Sequence, residues 1–286
     1  MSGALVAFCV MAVSVRALAA NLSIFEILAV RSGFGVLVLC AILAMRPSLR
    51  HLVVPRRMAL HLLRNSTHYT GQYMWALSLT LLPLATVFAL EFTTPAWTVL
   101  LAALILGERM TPSRIGAVML GFAGVLIILR PGIASFQPAA LLVLAAAFAY
   151  AVSMINTKQL TTTESSFTII FWMNVMQLPM SLAGSSLDFP LRLAGPDILP
   201  ILGIGISGVS SHYCLSNAFR AGDASVVVPL DFLRLPLIAW VGWWLYAETL
   251  DIFVLAGALT IVAGIIWNLR AETRPILPPA ARRPAA

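Results

Sequence analysis

Charged side chains are scarce, making up only 10% of the 286 residues, against about a quarter in a soluble globular domain. With 60% hydrophobic residues and a mean hydropathy of +0.94, water is excluded as the main solvent. No polar stretch is long enough to form a soluble domain, so the chain reads as one membrane domain. Cysteine is scarce too. Cys9, Cys40 and Cys214 lie in apolar stretches without C-x-x-C spacing, which argues against a disulfide framework and a zinc site. The H-E-x-x-H and G-x-S-x-G motifs and a phosphate-binding glycine loop are absent, so the chain is expected not to be an enzyme. His61 and His68 lie seven apart on one helix face but have no carboxylate beside them in sequence, which makes a poor metal site. No cofactor and no metal is implied. The net charge of +7 comes from Lys and Arg in short loops and a tail, not from a basic face. Membrane orientation explains it, and no nucleic-acid partner is expected.

What is abundant is apolar runs of spanning length. A hydrocarbon core of ~30 Å needs about 20 apolar residues per helix, and ten segments qualify: 3–20, 24–45, 58–82, 84–106, 112–130, 137–160, 165–187, 198–220, 224–247 and 252–270. With both termini inside, the inner segments carry Arg46, Arg50, Arg56, Arg57, Arg109, Arg114, Lys158, Arg220, Arg270, Arg274, Arg282 and Arg283, while the outer loops carry only Arg130 and Arg192. That asymmetry predicts cytoplasmic termini. Ala17-Leu18-Ala19 imitates a signal-peptidase site, yet residues 1–15 contain no Lys or Arg, so the segment is read as the first span. Residues 271–286, rich in Pro, Ala and Arg, are expected to be a disordered cytoplasmic tail.

The chain repeats itself. Glu91-Phe92 returns as Asp231-Phe232, Glu108 as Glu248 and Ala123-Gly124 as Ala263-Gly264, each 140 positions later, and Ser66-Thr67-His68-Tyr69 returns as Ser210-Ser211-His212-Tyr213. Five spans per copy is an odd number, so the second copy enters the membrane upside down, as in transporters that bind substrate at the midplane between halves. The expected fold is therefore an all-α integral membrane protein of ten helices in two inverted five-helix repeats, 1–130 and 131–270.

The block from Ala85-Thr86 to Gly124, with Pro95, Leu106-Gly107-Glu108, Thr111 and Gly116, and its second copy with Ala224-Ser225, Pro236, Glu248, Gly257 and Gly264, resembles the EamA repeat of the drug/metabolite transporter superfamily. The polar, aromatic third and eighth helices are similar to those of the YddG-type amino-acid exporters within it. The resemblance implies a ten-helix exporter. Family members often open with a Trp-Gly pair and a Lys; here Phe8-Cys9 and Arg16 stand in comparable places, so no role of that motif is carried over.

Ionisable groups inside spans cost ~2.5–3.5 kcal/mol at the centre on insertion scales, so each needs a partner or water. Arg16 and Arg64 are read as snorkelling to helix ends. Arg31 and Glu91 each lie seven residues in from the outer end of a span, ~10 Å deep, and are expected to pair; Asp231 is expected to pair with Arg234, three residues along. These four read either as compensated ion pairs or as groups coupled to proton or substrate movement. His68, Gln72 and Trp75 share one face of the third helix with Tyr69 and Tyr73 beside them, and His212, Ser216 and Phe219, with Tyr213, repeat the pattern on the eighth. This stripe is read as the lining of a midplane cavity and weighed against helix packing. The expected substrate-binding residues are His68, Tyr69, Gln72, Trp97, Tyr150, Trp172, His212, Tyr213 and Ser216, with Asn174 and Gln177 at similar depth. Small residues at every fourth place, Ser113-Ala117-Gly121 and Ala256-Thr260-Gly264, predict close helix contacts within a monomer or in a homodimer, and Pro95, Pro179, Pro229 and Pro236 are candidate kinks.

The sequence thus predicts a secondary transporter of the bacterial inner membrane that exports amino acids or similar small metabolites by alternating access. Its expected partners are a small-molecule substrate and the lipid bilayer. A non-transporting receptor or sensor, or a lipid flippase, on the same fold is the alternative; movement of labelled solute into liposomes separates them.

Overall fold

The computed structural model describes residues 2–130, 137–186, 188–192, 197–221, 231 and 233–272, with backbone alone for residues 212 and 215–221. Its helices are α1 (Ser2–Leu18), α2 (Ile24–Met45), α3 (Met58–Leu81), α4 (Leu84–Glu91), α5 (Thr94–Leu106), α6 (Pro112–Leu129), α7 (Ala139–Leu160), α8 (Ser166–Leu182), α9 (Ile198–Ala221), α10 (Arg234–Tyr246) and α11 (Ile252–Glu272). Among the described residues there is no strand, as a bilayer that offers no hydrogen bonds to an open edge requires. The helices α2, α6, α7 and α11 and the α4–α5 pair are each long and apolar enough to cross a membrane. The side of the bundle where α1 begins and α11 ends is called the terminal face below, and the other the distal face.

Local chemistry sets the helix boundaries. Ser23 caps α2 in a reciprocal capping box with Glu26, and the Thr111 and Ser165 hydroxyls accept from Arg114 N and Thr168 N at the starts of α6 and α8. The first turn of α3 is capped from the other repeat, where Glu164 Oε1 accepts from the backbone N–H groups of Arg56 at 2.6 Å and Arg57 at 3.1 Å. The fourth span is broken at Phe92-Thr93. Pro95 lacks the N–H that would reach the Glu91 carbonyl, and the Thr94 hydroxyl donates to that carbonyl instead, at 2.7 Å. Pro179 lies inside α8 without ending it, so it makes no comparable break. The seventh span stops at Leu182, five residues before the predicted end.

Two inverted five-helix repeats build the bundle. Exchanging the repeats turns the α3·α7 contact into the α9·α1 contact, and both are extensive; α2·α8, α4·α10 and α6·α11 map onto themselves. The closest backbone approach is α6 on α11. A Cβ on Gly124 would stand 2.5 Å from the Gly257 carbonyl oxygen, and one on Gly257 would stand 2.5 Å from that of Gly124. With the 140-residue offset this contact corresponds to that of Gly264 with Ala117, where a Cβ on Gly264 would stand 3.2 Å from the Ala117 carbonyl oxygen, so the pseudo-two-fold runs between the two contacts. The predicted small-residue stripe on α11 is therefore one position off: Ala256 is exposed and Thr260 half-buried, while Gly257 and Gly264 face α6. Within the described residues that stripe is a contact inside the monomer. Ala224-Ser225, Pro229, Phe232, the side chain of Arg220 and residues 273–286 lie outside the described residues; 271 and 272 end α11.

Candidate functional site

A polar string runs down α3 into the bundle. Arg64 Nη1 donates to Asn65 Oδ1 at 2.8 Å and Arg64 Nε to Thr157 Oγ1 at 3.2 Å. One turn on, His68 Nδ1 lies 2.9 Å from Gln177 Nε2 of α8, and its ring lies 5.5 Å from that of Tyr150 on α7. Next come Tyr69 and Gln72, both buried, with Gln72 Oε1 enclosed and without a hydrogen bond among the described residues. Trp75 follows, its Nε1 donating to Glu91 Oε2 at 2.8 Å. Gly71 lets the Tyr150 ring lie against α3, because a Cβ there would stand 3.1 Å from it. Arg64 is 8% exposed; its neighbours satisfy it in place, so the predicted snorkelling does not occur.

At the end of this string one guanidinium sits between two carboxylates. Arg234 Nη2 is 3.6 Å from Glu91 Oε1 and 3.5 Å from Asp231 Oδ2. The rings of Phe8, Phe88 and Phe92 surround it, with centroids 4.6, 5.1 and 5.1 Å away, which adds cation–π attraction in a desolvated setting. Glu91 and Asp231 are repeat counterparts, and the pseudo-two-fold brings them to one cation. The expected Arg31–Glu91 pair is not formed. Arg31 lies along Gly208 of α9, with its Nε 3.2 Å from where a Cβ would stand. The broken fourth span turns Glu91 toward α10, where Arg234 reaches it first. Removing Arg234 would leave both carboxylates without their cation, and breaking a buried pair in this way costs about 3–5 kcal/mol.

The remaining predicted residues divide. Tyr150 stands within electrostatic range of Glu91, Arg31 and Arg234, at the centre of the string. Trp97 packs edge-on against Phe122 and Phe148 beside a separate apolar cluster of Leu101, Ala102, Ala151 and Ile155, away from the string. Trp172 donates from Nε1 to the Val53 carbonyl at 2.9 Å and ties α8 to the terminal-face loop. Tyr213 is 69% exposed on α9 and turns away from the interior, since a helix that buries its small-residue face against α1 must present the opposite face to lipid. The side chains of His212 and Ser216 lie outside the described residues. Asn174 folds back onto the Ile170 carbonyl at 2.9 Å. The carboxylate missing beside His61 in sequence arrives through space: Glu164 Oε1 is 3.7 Å from His61 Nε2. Among the described residues no group of three or more His, Cys, Asp or Glu could hold a metal.

Two ion pairs that sequence reasoning did not anticipate lie at opposite ends of the bundle. On the distal face Arg16 of α1 pairs with Glu248 and donates to the Leu79 carbonyl at 2.7 Å and the Leu82 carbonyl at 2.5 Å. Glu248 Oε2 accepts from Leu84 N at 2.9 Å, and the Tyr246 ring lies 4.7 Å from the Arg16 guanidinium. Arg16 thus binds α3 and α10 together where it was expected to snorkel. On the terminal face Lys158 of α7 donates to Glu108 at 2.5 Å, with Arg114 at 2.9 Å on the other oxygen. Lys158 holds that carboxyl below its ordinary range, chiefly through this hydrogen bond. Both glutamates follow a helix that ends on a left-handed residue, Gly107 at φ 68° and Ala247 at φ 51°. Their own N–H groups reach back six residues, to Ala102 and Gly242, as in a Schellman cap. The shared spacing of Glu108 and Glu248 was the signal that could have revealed them.

The comparisons agree with this architecture. The model of the "EamA-like transporter family" matches residues 1–130 and 137–270. A "Riboflavin transporter" of Rhizobium johnstonii is 33% identical over 75% of this chain and 71% of its own length. An "S-adenosylmethionine uptake transporter" of Rickettsia felis is 27% identical over 75% of this chain and 72% of its own. A crystal structure with 17% identity superposes over 96% of this chain and 99% of that one with a TM-score of 0.55, which concerns the fold alone. With membrane-crossing helices in two repeats and relatives named as carriers, the protein is a multi-pass membrane transporter of small metabolites and not an enzyme. The chain belongs to the EamA-like transporter family, within the drug/metabolite transporter superfamily.

Proposed function

We propose that the protein is a secondary transporter that moves amino acids, or metabolites carrying an amino-acid end, outward across the bacterial inner membrane by alternating access. The observation that carries this reading is the matched pair of latches. Arg16–Glu248 and Lys158–Glu108 each join one repeat to the other, each stands at one face, and each uses the same glutamate position of its repeat. The string of His68, Tyr69, Gln72, Tyr150 and Gln177, with Glu91, Arg234 and Asp231, buried or half-buried, lies between them. Opening one latch while the other holds would expose that string to one side at a time. The arginine distribution supports cytoplasmic termini, which makes the terminal face the inner one. His212 and Ser216 on α9 are proposed to complete the cavity opposite His68 and Gln72.

Counterflow into liposomes with the purified protein, using the twenty amino acids, S-adenosylmethionine and riboflavin, tests the reading. Exchange of at least one amino acid supports it. His68→Ala should reduce that exchange with little change in melting temperature, because a wet cavity tolerates truncation better than a packed core. A second reading, uptake of a larger metabolite, is favoured by the names of the relatives; exchange of riboflavin or S-adenosylmethionine but no amino acid selects it. Exchange of none of these solutes contradicts both.

A further inference from the structure

Every other arginine described inside the bundle has an acceptor. Arg16 has Glu248 and two carbonyls, Arg64 has Asn65 and Thr157, and Arg234 has two carboxylates. Arg31 differs. It is 5% exposed, its Nε is enclosed, and it makes no hydrogen bond or ion pair among the described residues. Shape holds it where charge does not, since the stem lies in the groove left by Gly208, with Cγ 3.3 Å from where a Cβ would stand. Gly208 is ten residues into α9, ~15 Å along it, so the guanidinium lies near the middle of a ~30 Å core. Arg64 is close enough to repel it and Tyr150 close enough to feel its field. A buried guanidinium without an acceptor among the described residues, with a second buried cation near enough to repel it, forms a site that is completed by an anion. Glu91 and Asp231 do not supply one, because Arg234 engages both.

We propose that Arg31, seconded by Arg64, is the subsite that receives the carboxylate of the transported metabolite. The inference rests on the transport reading above and names the substrate class at that same site. The planar guanidinium fork matches a carboxylate in two parallel hydrogen bonds. Tyr150, within the field of Arg31, and His68, whose ring lies 5.5 Å from that of Tyr150, would orient the remainder of the molecule. A substrate that brings its own negative charge also removes the repulsion between the two arginines, so the loaded site is better compensated than the empty one. Loading is then what favours the rocking of the repeats around it.

The test uses the purified full-length protein, Arg31→Gln and Arg31→Lys, with matched probes: L-phenylalanine against L-phenylalaninamide, and S-adenosylmethionine against its decarboxylated form. In the wild type the carboxylate-bearing member should bind about 10–100-fold more tightly, the range for a hydrogen bond to a charged group. Arg31→Gln should erase that preference while melting no lower than wild type without ligand, because it removes an uncompensated charge. Arg31→Lys, which keeps the charge and loses the fork, should retain part of the preference. The assignment is overturned if Arg31→Gln discriminates as the wild type does, or if it melts several degrees lower without ligand. It is also overturned if chloride alone gives the same stabilisation as the carboxylates, or if neither member of either pair binds. Counterflow with the same probes separates the two ideas. Equal exchange of carboxylate and amide leaves the transport reading standing and removes this one, whereas carboxylate-selective binding without exchange of any solute does the reverse.

Discussion

Glu248 stands 140 positions after Glu108, and each is gripped by a cation from the opening helix of the opposite repeat, Arg16 of α1 and Lys158 of α7. The two latches are alike in position but not in burial. Arg16 and Glu248 are 16% and 15% exposed, while Lys158 is 62% and Glu108 27% exposed. A pair as open to solvent as the second contributes little, at most ~1 kcal/mol. The distal latch, with its added carbonyl and amide partners, is the stronger.

Neutralising one latch should therefore loosen one face only. In Glu248→Gln, hydrogen exchange should rise across 79–84 and leave 106–114 unchanged; in Glu108→Gln the pattern should reverse, with a smaller change. Equal loosening of both faces by either variant would show that the latches are not separate devices.

Arg234 holds two carboxylates at once, so its loss should be the most damaging single change in the interior. Arg234→Gln should lower stability by about 3–5 kcal/mol, and Glu91→Gln added to it should recover part of that loss. Thermal denaturation of the two variants and of Glu91→Gln alone measures the coupling.

The architecture was largely legible in the sequence because its causes are local and repetitive. Apolar runs, the arginine asymmetry and the 140-residue spacing name ten spans and their inversion. The site was legible only in part. His68, Gln72 and Trp75 do share a face, since helix periodicity fixes it, but their partners Gln177 and Glu91 depend on which helices meet. Arg31 and Glu91 were matched by depth alone. Depth ignores rotation about the helix axis, and the Pro95 break turns Glu91 toward Arg234. Depth does not fix the face of Tyr213 either, and the packing of α9 against α1 leaves its side chain 69% exposed.

Acid should weaken the terminal latch. The Glu108 carboxyl is held below its ordinary value of 4.5 by the Lys158 hydrogen bond. A folded-state pKa lower than the unfolded one contributes stability that is present above the unfolded value and lost as pH falls through the folded one. Melting temperature should accordingly drop as pH is lowered below that ordinary value, and the part due to this latch should be absent in Glu108→Gln. An unchanged acid limb in the variant would mean that Glu108 contributes nothing to it.

Ala247 adopts the left-handed conformation that its counterpart Gly107 adopts at the same cap, φ 51° against 68°. A side chain there costs roughly 1–2 kcal/mol, partly offset by the greater unfolded-state freedom of glycine. Ala247→Gly should raise stability by about 0.5–1 kcal/mol without altering transport, as denaturation and counterflow on the same preparation would record.

Cross-linking the latches tests alternating access most directly. With Cys9, Cys40 and Cys214 replaced by serine, cysteines at 16 and 248, or at 108 and 158, can be joined by a short reducible thiol cross-linker in liposomes and later released. Either cross-link should stop counterflow, and reduction should restore it, because each cycle must open both faces in turn. Undiminished counterflow with either latch fully cross-linked would contradict the account.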